Sequence, residues 1–474
     1  MPLDLDHLHR VHCVGIGGIG VSAAAKFLRL QGKEVSGSDE ATSVVTADAE
    51  RAGIRVLAPA SSNVDPDLDL LIYTSAAPES HVERVEAARL GIPQMSYFEF
   101  LGLVSQGYRT VAVCGTNGKS TTTAMLALIL ERAGLDPMVI VGSRVPSFEY
   151  GNFRPGKGGV FVVEACEYRE QFMHLHPSVV LTTKIVEDHL DYYRDLAHIQ
   201  ETFRAFAAKL PADGPLIWNA DDEGSRVAYA GLTQPNGTFG FSPDADLHVE
   251  NHEVSEGLQR FDAVFKDDVA WRGLELRVPG AFNVSNALAA IGAARALGAK
   301  EDAVRSALAE FAGIWRRFEK VGERLPSGVS AKEGDGAPVI SDYGHTPDAV
   351  EATLKAAREF YPGRRVILAF QPHHHDRTRK LFDAFVPSFD GADALILCEI
   401  YGVAGRTEHE GEISSRDLVE AVKERGVVKD VRYAAGPQAA LAMLEKLDAE
   451  GAIILVMGAG DIYSIAYPLC RTPR

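Results

Sequence analysis

Much about this chain of 474 residues follows from what it lacks. It has five cysteines, Cys13, Cys114, Cys166, Cys398 and Cys470, an odd count with no C-x-x-C pair. Neither a disulfide framework nor a structural zinc site is expected, and a reducing compartment fits this usage. No stretch approaches the roughly 20 apolar residues that a membrane helix needs. The opening Met1-Pro2-Leu3-Asp4-Leu5-Asp6 has no basic stretch and no long apolar run, so no secretory signal is readable. A cytoplasmic protein is the expectation. Lys and Arg number 48 against 65 Asp and Glu, and the net charge of −17 argues against a general binder of nucleic acid or anionic membrane. Low-complexity linkers and runs of like charge are also missing, so domain limits must be read from pattern alone.

What is present is an ordinary globular balance, 46% apolar and 24% charged. The length is too great for one core, and about two to four domains are expected. Three series of alternating strands and helices follow one another, which implies parallel sheets. The first has strands at Val11–Val14, Val35–Asp39 and Leu68–Tyr73, with a helix at Val21–Leu30. The second has strands at Thr110–Cys114, Gly159–Glu164 and Val179–Thr183, with a helix at Ser120–Ala133. From about Gly237 to Val278 short alternating runs read as inserted antiparallel β structure, before a helix at Asn283–Leu297. The third has strands at Pro338–Ser341, Arg365–Phe370, Ala394–Cys398 and Ala452–Met457, with helices at Pro347–Phe360 and Ser415–Arg425. The expected domains are 1–107, 108–314 and 315–474.

Two loops point to phosphates. Gly15, Gly17 and Gly20, with Gly18 between them, fit G-x-G-x-x-G between a strand and a helix, where bare backbone lets a pyrophosphate reach the helix N-terminus. Asp39 ends the next strand, where a ribose-binding acid belongs. The glycines do not choose between NAD and a UDP-sugar, and a tight turn without a ligand is the plainer alternative. The second loop is Gly115-Thr116-Asn117-Gly118-Lys119-Ser120-Thr121. A full phosphate-binding loop has a further glycine where Val113 stands, so this one is short. Its chemistry survives: N–H groups for phosphate oxygens, Lys119 for the β and γ phosphates, and the Ser120 hydroxyl for Mg²⁺. An ATP-dependent enzyme is expected.

Glu164 and the segment Thr182 to His189 end strands flanking that loop, where a metal and phosphate complex would lie. His189 alone reads equally as a structural histidine. In the third series, Asp342-Tyr343-Gly344-His345 follows a strand, and Phe370-Gln371-Pro372-His373-His374-His375-Asp376-Arg377 follows another. Neighbouring histidines on a loop point apart, so contact with an anionic substrate through His373 and Arg377 is preferred to a metal. Trp315-Arg316-Arg317-Phe318 is a phosphate contact or a solvated basic turn.

Taken in order, these motifs resemble the Mur ligases of peptidoglycan synthesis over nearly the whole chain. Further pieces are Glu164-Ala165-Cys166-Glu167-Tyr168-Arg169, Asp188-His189, Asn283-Val284-Ser285-Asn286 and Gly458-Ala459-Gly460-Asp461. The resemblance implies an α/β fold of three domains: N-terminal Rossmann-like, a central P-loop ATPase with inserted antiparallel β, and C-terminal Rossmann-like. It implies ligation through an acyl phosphate, with ATP and Mg²⁺, and sides with the branch that joins UDP-N-acetylmuramate to L-alanine. Lys119, His189, His345 and Arg377 would be catalytic. Gly115 to Thr121, Asn283, Asn286, Arg317, Asp342 and Tyr343 would hold ATP. Gly15, Gly17, Gly18, Gly20, Asp39 and Ser75 would hold the UDP-sugar. Ser120, Glu164 and His189 would bind metal, and His345, His373 and Arg377 the amino acid or acyl phosphate. No nucleic-acid or membrane partner is implied, and the protein would be a monomer or homodimer.

The chain departs from the family pattern at Lys184, where asparagine is common, and at His374, where arginine or threonine is common. Several members carry a carbamoylated lysine soon after the Asp-His pair. No lysine lies between His189 and Lys209, which fits the alanine-adding and peptide-recycling branches. The recycling branch, which takes a murein tripeptide, is the nearer alternative. A NAD-dependent oxidoreductase would leave Lys119 without a task, and a non-catalytic nucleotide sensor would not need Glu164 and His189.

Overall fold

The computed structural model describes residues 5–189, 192–255, 257–267, 269–325, 336–402 and 413–470. Met1 to Asp4, part of the segment read for a leader, lies outside them. Two compact units are present: one of Met1–His252, Phe261–Glu275 and Phe282–Phe311, the other of Glu253–Arg260, Leu276–Ala281 and Ala312–Arg474.

The first unit opens with β1 (Arg10–Val14), α1 (Ile19–Leu30), β2 (Glu34–Ser38), α2 (Val44–Arg51), β3 (Arg55–Leu57), β4 (Leu70–Tyr73), α3 (Val82–Leu90), β5 (Gln94–Ser96) and α4 (Tyr97–Ser105). The strands form a parallel sheet in the order β3-β2-β1-β4-β5. The order reverses beside β1, and open α/β sheets bind ligands at the carboxyl ends of strands at such a point. The glycine loop follows β1 there.

A polar knot is buried in this sheet. The Glu83 carboxylate lies 3.4 Å from His12 Nε2, takes the Ser38 hydroxyl, and accepts from Asn63 Nδ2 at 2.6 Å. Burial alone would raise this carboxyl; the donors from His12, Ser38 and Asn63 outweigh it and bring Glu83 down to about 2. Because the folded value is depressed, the stability it contributes is present above the ordinary 4.5 and is lost as pH falls toward 2. Glu83→Gln is therefore expected to lower the melting temperature at pH 7, with the gap from wild type shrinking between pH 4.5 and 2. A gap independent of pH would contradict this account.

The unit continues with β6 (Arg109–Cys114), α5 (Lys119–Arg132), β7 (Met138–Ile140), β8 (Phe153–Arg154), β9 (Val160–Glu164), β10 (Val179–Thr182), α6 (Leu196–Ala207), β11 (Leu216–Asn219), α7 (Glu223–Tyr229), β12 (Asn236–Gly240), β13 (Leu247–Ser255), β14 (Leu258–Phe265), β15 (Ala270–Leu276), α8 (Ala281–Ala296) and α9 (Glu301–Glu310). The sheet order is β15-β14-β13-β12-β11-β10-β6-β9-β7-β8. β6, β9 and β10 are apolar runs buried on both faces, as parallel central strands must be. The stretch expected to be antiparallel from Gly237 differs at its start: β12 runs parallel to β11 and to β13. The links from β13 to β14 and from β14 to β15 are too short for a parallel crossover, so the reversal begins after β13.

The two sheets of this unit share one core. Phe27 of α1 packs edge-on against Phe100 of α4 and Phe153 of β8. Fully buried Lys26 donates to the Tyr150 carbonyl at 3.0 Å and to Asn152 Oδ1 at 2.7 Å, and burial lowers it to about 8. Arg144 grips Asp48 of α2 at 2.7 Å.

The second unit holds β16 (Glu319–Arg324), β17 (Ala337–Asp342), α10 (Pro347–Phe360), β18 (Arg365–Phe370), α11 (His375–Lys380), α12 (Phe382–Ser388), β19 (Ala394–Cys398), α13 (Ser415–Arg425), β20 (Asp430–Ala434), α14 (Pro437–Leu444) and β21 (Ala452–Met457). Its sheet order is β16-β17-β21-β18-β19-β20, with only the edge strand β16 antiparallel among the pairings. Helices cover both faces, so the core strands are uninterrupted apolar runs such as Ala452–Met457.

Candidate active site

The phosphate loop joins β6 to α5. Gly115 at φ 130° and Gly118 at φ 86° occupy conformations that favour glycine. Neighbours close in as well: a Cβ on Gly115 would strike the Thr183 hydroxyl, and one on Gly118 the Asn286 amide oxygen. The loop is pinned from β10, since Thr116 N–H donates to the Lys184 carbonyl at 2.7 Å and the Thr183 hydroxyl to the Asn117 carbonyl at 2.5 Å. Lys184 thus serves through its backbone, and its side chain is exposed. Gly118 caps α5 without a side-chain bond, which leaves the first N–H groups of the helix for phosphate oxygens.

Two acidic residues meet this loop. Glu164, at the end of β9, accepts from Ser120 Oγ at 3.0 Å and from Gly142 N–H at 2.6 Å. Glu167, with a side chain 1% exposed, pairs with Lys119 Nζ at 2.9 Å. The same ammonium donates to the Gly115 carbonyl at 2.5 Å. Burial disfavours the charge on Lys119, but Glu167, with Cys166 and Glu164 behind it, outweighs that and pushes its pKa up. His189, at φ 53°, is placed with Glu167 and Asp188, their ligand atoms all within 4.8 Å of one another. Ser120 and Glu164 are therefore brought together as expected, while His189 groups with Glu167 and Asp188.

Asn286 reaches the loop from α8, with Asn283 behind it. Asn286 Nδ2 donates to Asn283 Oδ1 at 3.1 Å, and its own oxygen accepts from Thr122 Oγ1 at 3.3 Å. In the first sheet, Gly17 N–H donates to Asp39 Oδ2 at 2.8 Å, so Asp39 already closes over the glycine loop. Tyr97 packs where a Cβ on Gly20 would lie. Ser75 accepts from Gln171 Nε2 at 2.8 Å.

In the second unit the expected loop residues gather at the carboxyl ends of β17 and β18. Asp342 accepts from Phe318 N–H at 2.8 Å and Gly344 N–H at 2.7 Å, and burial raises its pKa. The Arg317 guanidinium lies 4.6 Å from the Tyr343 ring centre. His345 meets Tyr343 and His373 edge-on, and His373 stacks on Tyr401 at 5.6 Å. His374 is buried at φ 79° and caps α11, which carries Arg377.

Three family models match in succession: "Mur ligase family, catalytic domain" over 10–109, "Mur ligase middle domain" over 113–294, and "Mur ligase, glutamate ligase domain" over 316–460. The UDP-N-acetylmuramate–L-alanine ligase of Caldanaerobacter subterraneus is 35% identical over 467 residues, covering 98% of each chain. The chain belongs to the Mur ligase family. The enzyme of the same name from Clostridium kluyveri is 37% identical over 471 residues, again with 98% of each chain covered. The crystal structure of the Thermotoga maritima UDP-N-acetylmuramate–alanine ligase superposes with a TM-score of 0.81, at 28% identity and 98% coverage of each chain.

Two acidic residues at the site of this Mur ligase have no role that the sequence motifs alone assign. Glu167 lies three positions after Glu164, and Asp188 directly before His189. The signal was the repeated acid in Glu164-Ala165-Cys166-Glu167. What hid it was the turn that follows, in which Arg169 and Glu170 both take left-handed conformations that non-glycine residues rarely adopt.

Proposed function

We propose that this Mur ligase joins L-alanine to UDP-N-acetylmuramate. As a family member it is an ATP-dependent acid–amino-acid ligase. The observation that carries the site assignment is the phosphate loop, with Ser120 on Glu164 and Lys119 on Glu167. In the proposed reaction a carboxylate oxygen of the muramoyl lactyl group attacks the γ-phosphorus of ATP, and ADP leaves. The amine of L-alanine then attacks the acyl carbon, loses a proton, and expels phosphate. Positioning and charge neutralisation do most of the work in such transfers.

Lys119 would move onto the β and γ phosphates, and the N–H groups at the start of α5 would hold their oxygens. Asn283 and Asn286 would flank the adenine, and Arg317, Asp342 and Tyr343 would contact the nucleotide. Gly15, Gly17, Gly18, Gly20, Asp39 and Ser75 would hold the UDP-sugar. His345, His373 and Arg377 would meet the amino acid or the acyl phosphate.

The donor set fits Mg²⁺. Hard divalent cations take oxygen ligands, and Ser120 with Glu164, and Glu167 with Asp188, supply them. Lys119 pairs with Glu167, and Asp188 and His189 place further ligand atoms beside that carboxylate. When bound, Mg²⁺ would neutralise phosphate charge. The domain limits we propose are 1–107, 108–314 and 315–474. Among the described residues no helix is long and apolar enough to cross a membrane, and a cytoplasmic location is proposed.

The test is incubation with UDP-N-acetylmuramate, MgATP and either L-alanine or a murein tripeptide, scoring phosphate and ligated product. Product with L-alanine alone is expected. Product with the tripeptide alone would transfer the enzyme to the recycling reaction, and no product with either would overturn the reading.

A further inference from the structure

We propose that Glu167 is a positioning residue that holds Lys119 away from the phosphate site until a divalent cation arrives with the nucleotide. The inference rests on the reading of Gly115 to Ser120 as the ATP loop. The Lys119 ammonium lies 3.1 Å and 2.9 Å from the two Glu167 oxygens, and 2.5 Å from the Gly115 carbonyl. It is thus folded back on its own loop. Glu164 has other partners, Ser120 and Gly142, so the two acids of the motif divide the work.

Glu167 is built to stay where it is. The Tyr193 hydroxyl donates to its backbone carbonyl at 2.5 Å, and Phe172 N–H, from the turn that follows, donates to the Cys166 carbonyl at 2.9 Å. Its carboxylate is buried, so withdrawing Lys119 toward phosphates would strand a charge in a poorly solvated place. Breaking a buried pair by removing one partner is strongly unfavourable. A nucleotide without a cation must meet that cost in full. With a divalent cation the freed carboxylate gains a new counter-charge, and Asp188 and His189 are already beside it. The pair therefore couples nucleotide affinity to the metal through Lys119.

The experiment is calorimetric titration of ADP into wild type and Glu167→Gln, once in EDTA and once in excess Mg²⁺, with UDP-N-acetylmuramate affinity as the folding control. Wild type should bind ADP much more tightly with Mg²⁺. Glu167→Gln should bind ADP in EDTA at least about tenfold more tightly than wild type, with a smaller gain from Mg²⁺. An unchanged ratio of the two affinities, with the control intact, would overturn the proposal and leave Glu167 structural. Weaker ADP binding in both buffers would overturn it too. If wild type binds no ADP in either buffer, the loop assignment itself fails. Should the variant lose the control affinity, Glu167→Asp, which keeps the charge but shortens its reach, is measured in the same way and should show the same direction.

Discussion

Lys119→Ala is expected to reduce turnover by about a thousandfold or more, while leaving the affinity for UDP-N-acetylmuramate near that of wild type. The ammonium is the one side-chain cation that the loop places at the start of α5. Removing it takes away charge that is needed most as the phosphoryl group transfers. The substitution has a second effect that must be separated from the first. It leaves Glu167, 1% exposed, without its cation, and stranding such a charge costs about 3–5 kcal/mol. The double variant Lys119→Met with Glu167→Gln removes both charges. It should recover most of the lost stability in a denaturant titration and none of the lost turnover. A large fall in UDP-N-acetylmuramate affinity in Lys119→Ala would mean that the two nucleotide sites had been exchanged. Recovery of turnover in the double variant would mean that Lys119 acts by folding alone.

The elements that carry this chemistry were legible because their signals are local. A buried parallel strand is an apolar run ended by glycine, and Thr110 to Cys114 followed by Gly115 shows it directly. The structure also explains the short loop. Val113, where a further glycine would stand, is inside β6, fully buried and paired with Leu181 and Glu164 of the neighbouring strands. The loop begins only at Gly115. The stretch from Asn236 to Gly240 misled for the converse reason: its mixed polarity reads as an antiparallel strand, yet it runs parallel to both of its neighbours, β11 and β13.

Partner choice was less legible, because tertiary structure decides it. Arg316 and Arg317 are adjacent and both lie over Tyr343, but only Arg316 is buried, donating to the carbonyls of Gly458 and Gly460. Nothing local distinguishes the two. Among His373, His374 and His375, burial as the cap of α11 falls to the middle one. Glu167 depends on a turn through Arg169 and Glu170 that propensity alone would reject.

Gly115→Ala should be nearly as damaging as loss of Lys119, for a reason that contains no charge. At φ 130° an alanine is strained whatever space surrounds it, and such strain costs about 1–3 kcal/mol. Here there is no space either. The new methyl would strike the Thr183 hydroxyl and lie 3.0 Å from both the N and the O of Lys184. The Thr183 hydroxyl and the Lys184 carbonyl are the groups that pin the loop, so relief requires the loop to move away from its anchor. Displacement of about 1 Å in reacting groups can cost a hundredfold in rate, and a fall of that order or greater is expected together with weakened ADP binding. Gly134→Ala provides the comparison. Gly134 is also left-handed, at φ 75°, but nothing lies within 4 Å of where its Cβ would be. It should lose about 1 kcal/mol of stability and keep its activity. Both variants carry a positive-φ cost, the smaller one at Gly134, and only Gly115→Ala adds the clash, so a loss of ADP binding confined to Gly115→Ala reports the loop geometry. If Gly115→Ala binds ADP as tightly as Gly134→Ala does, the close approach of Thr183 and Lys184 does not govern the nucleotide site.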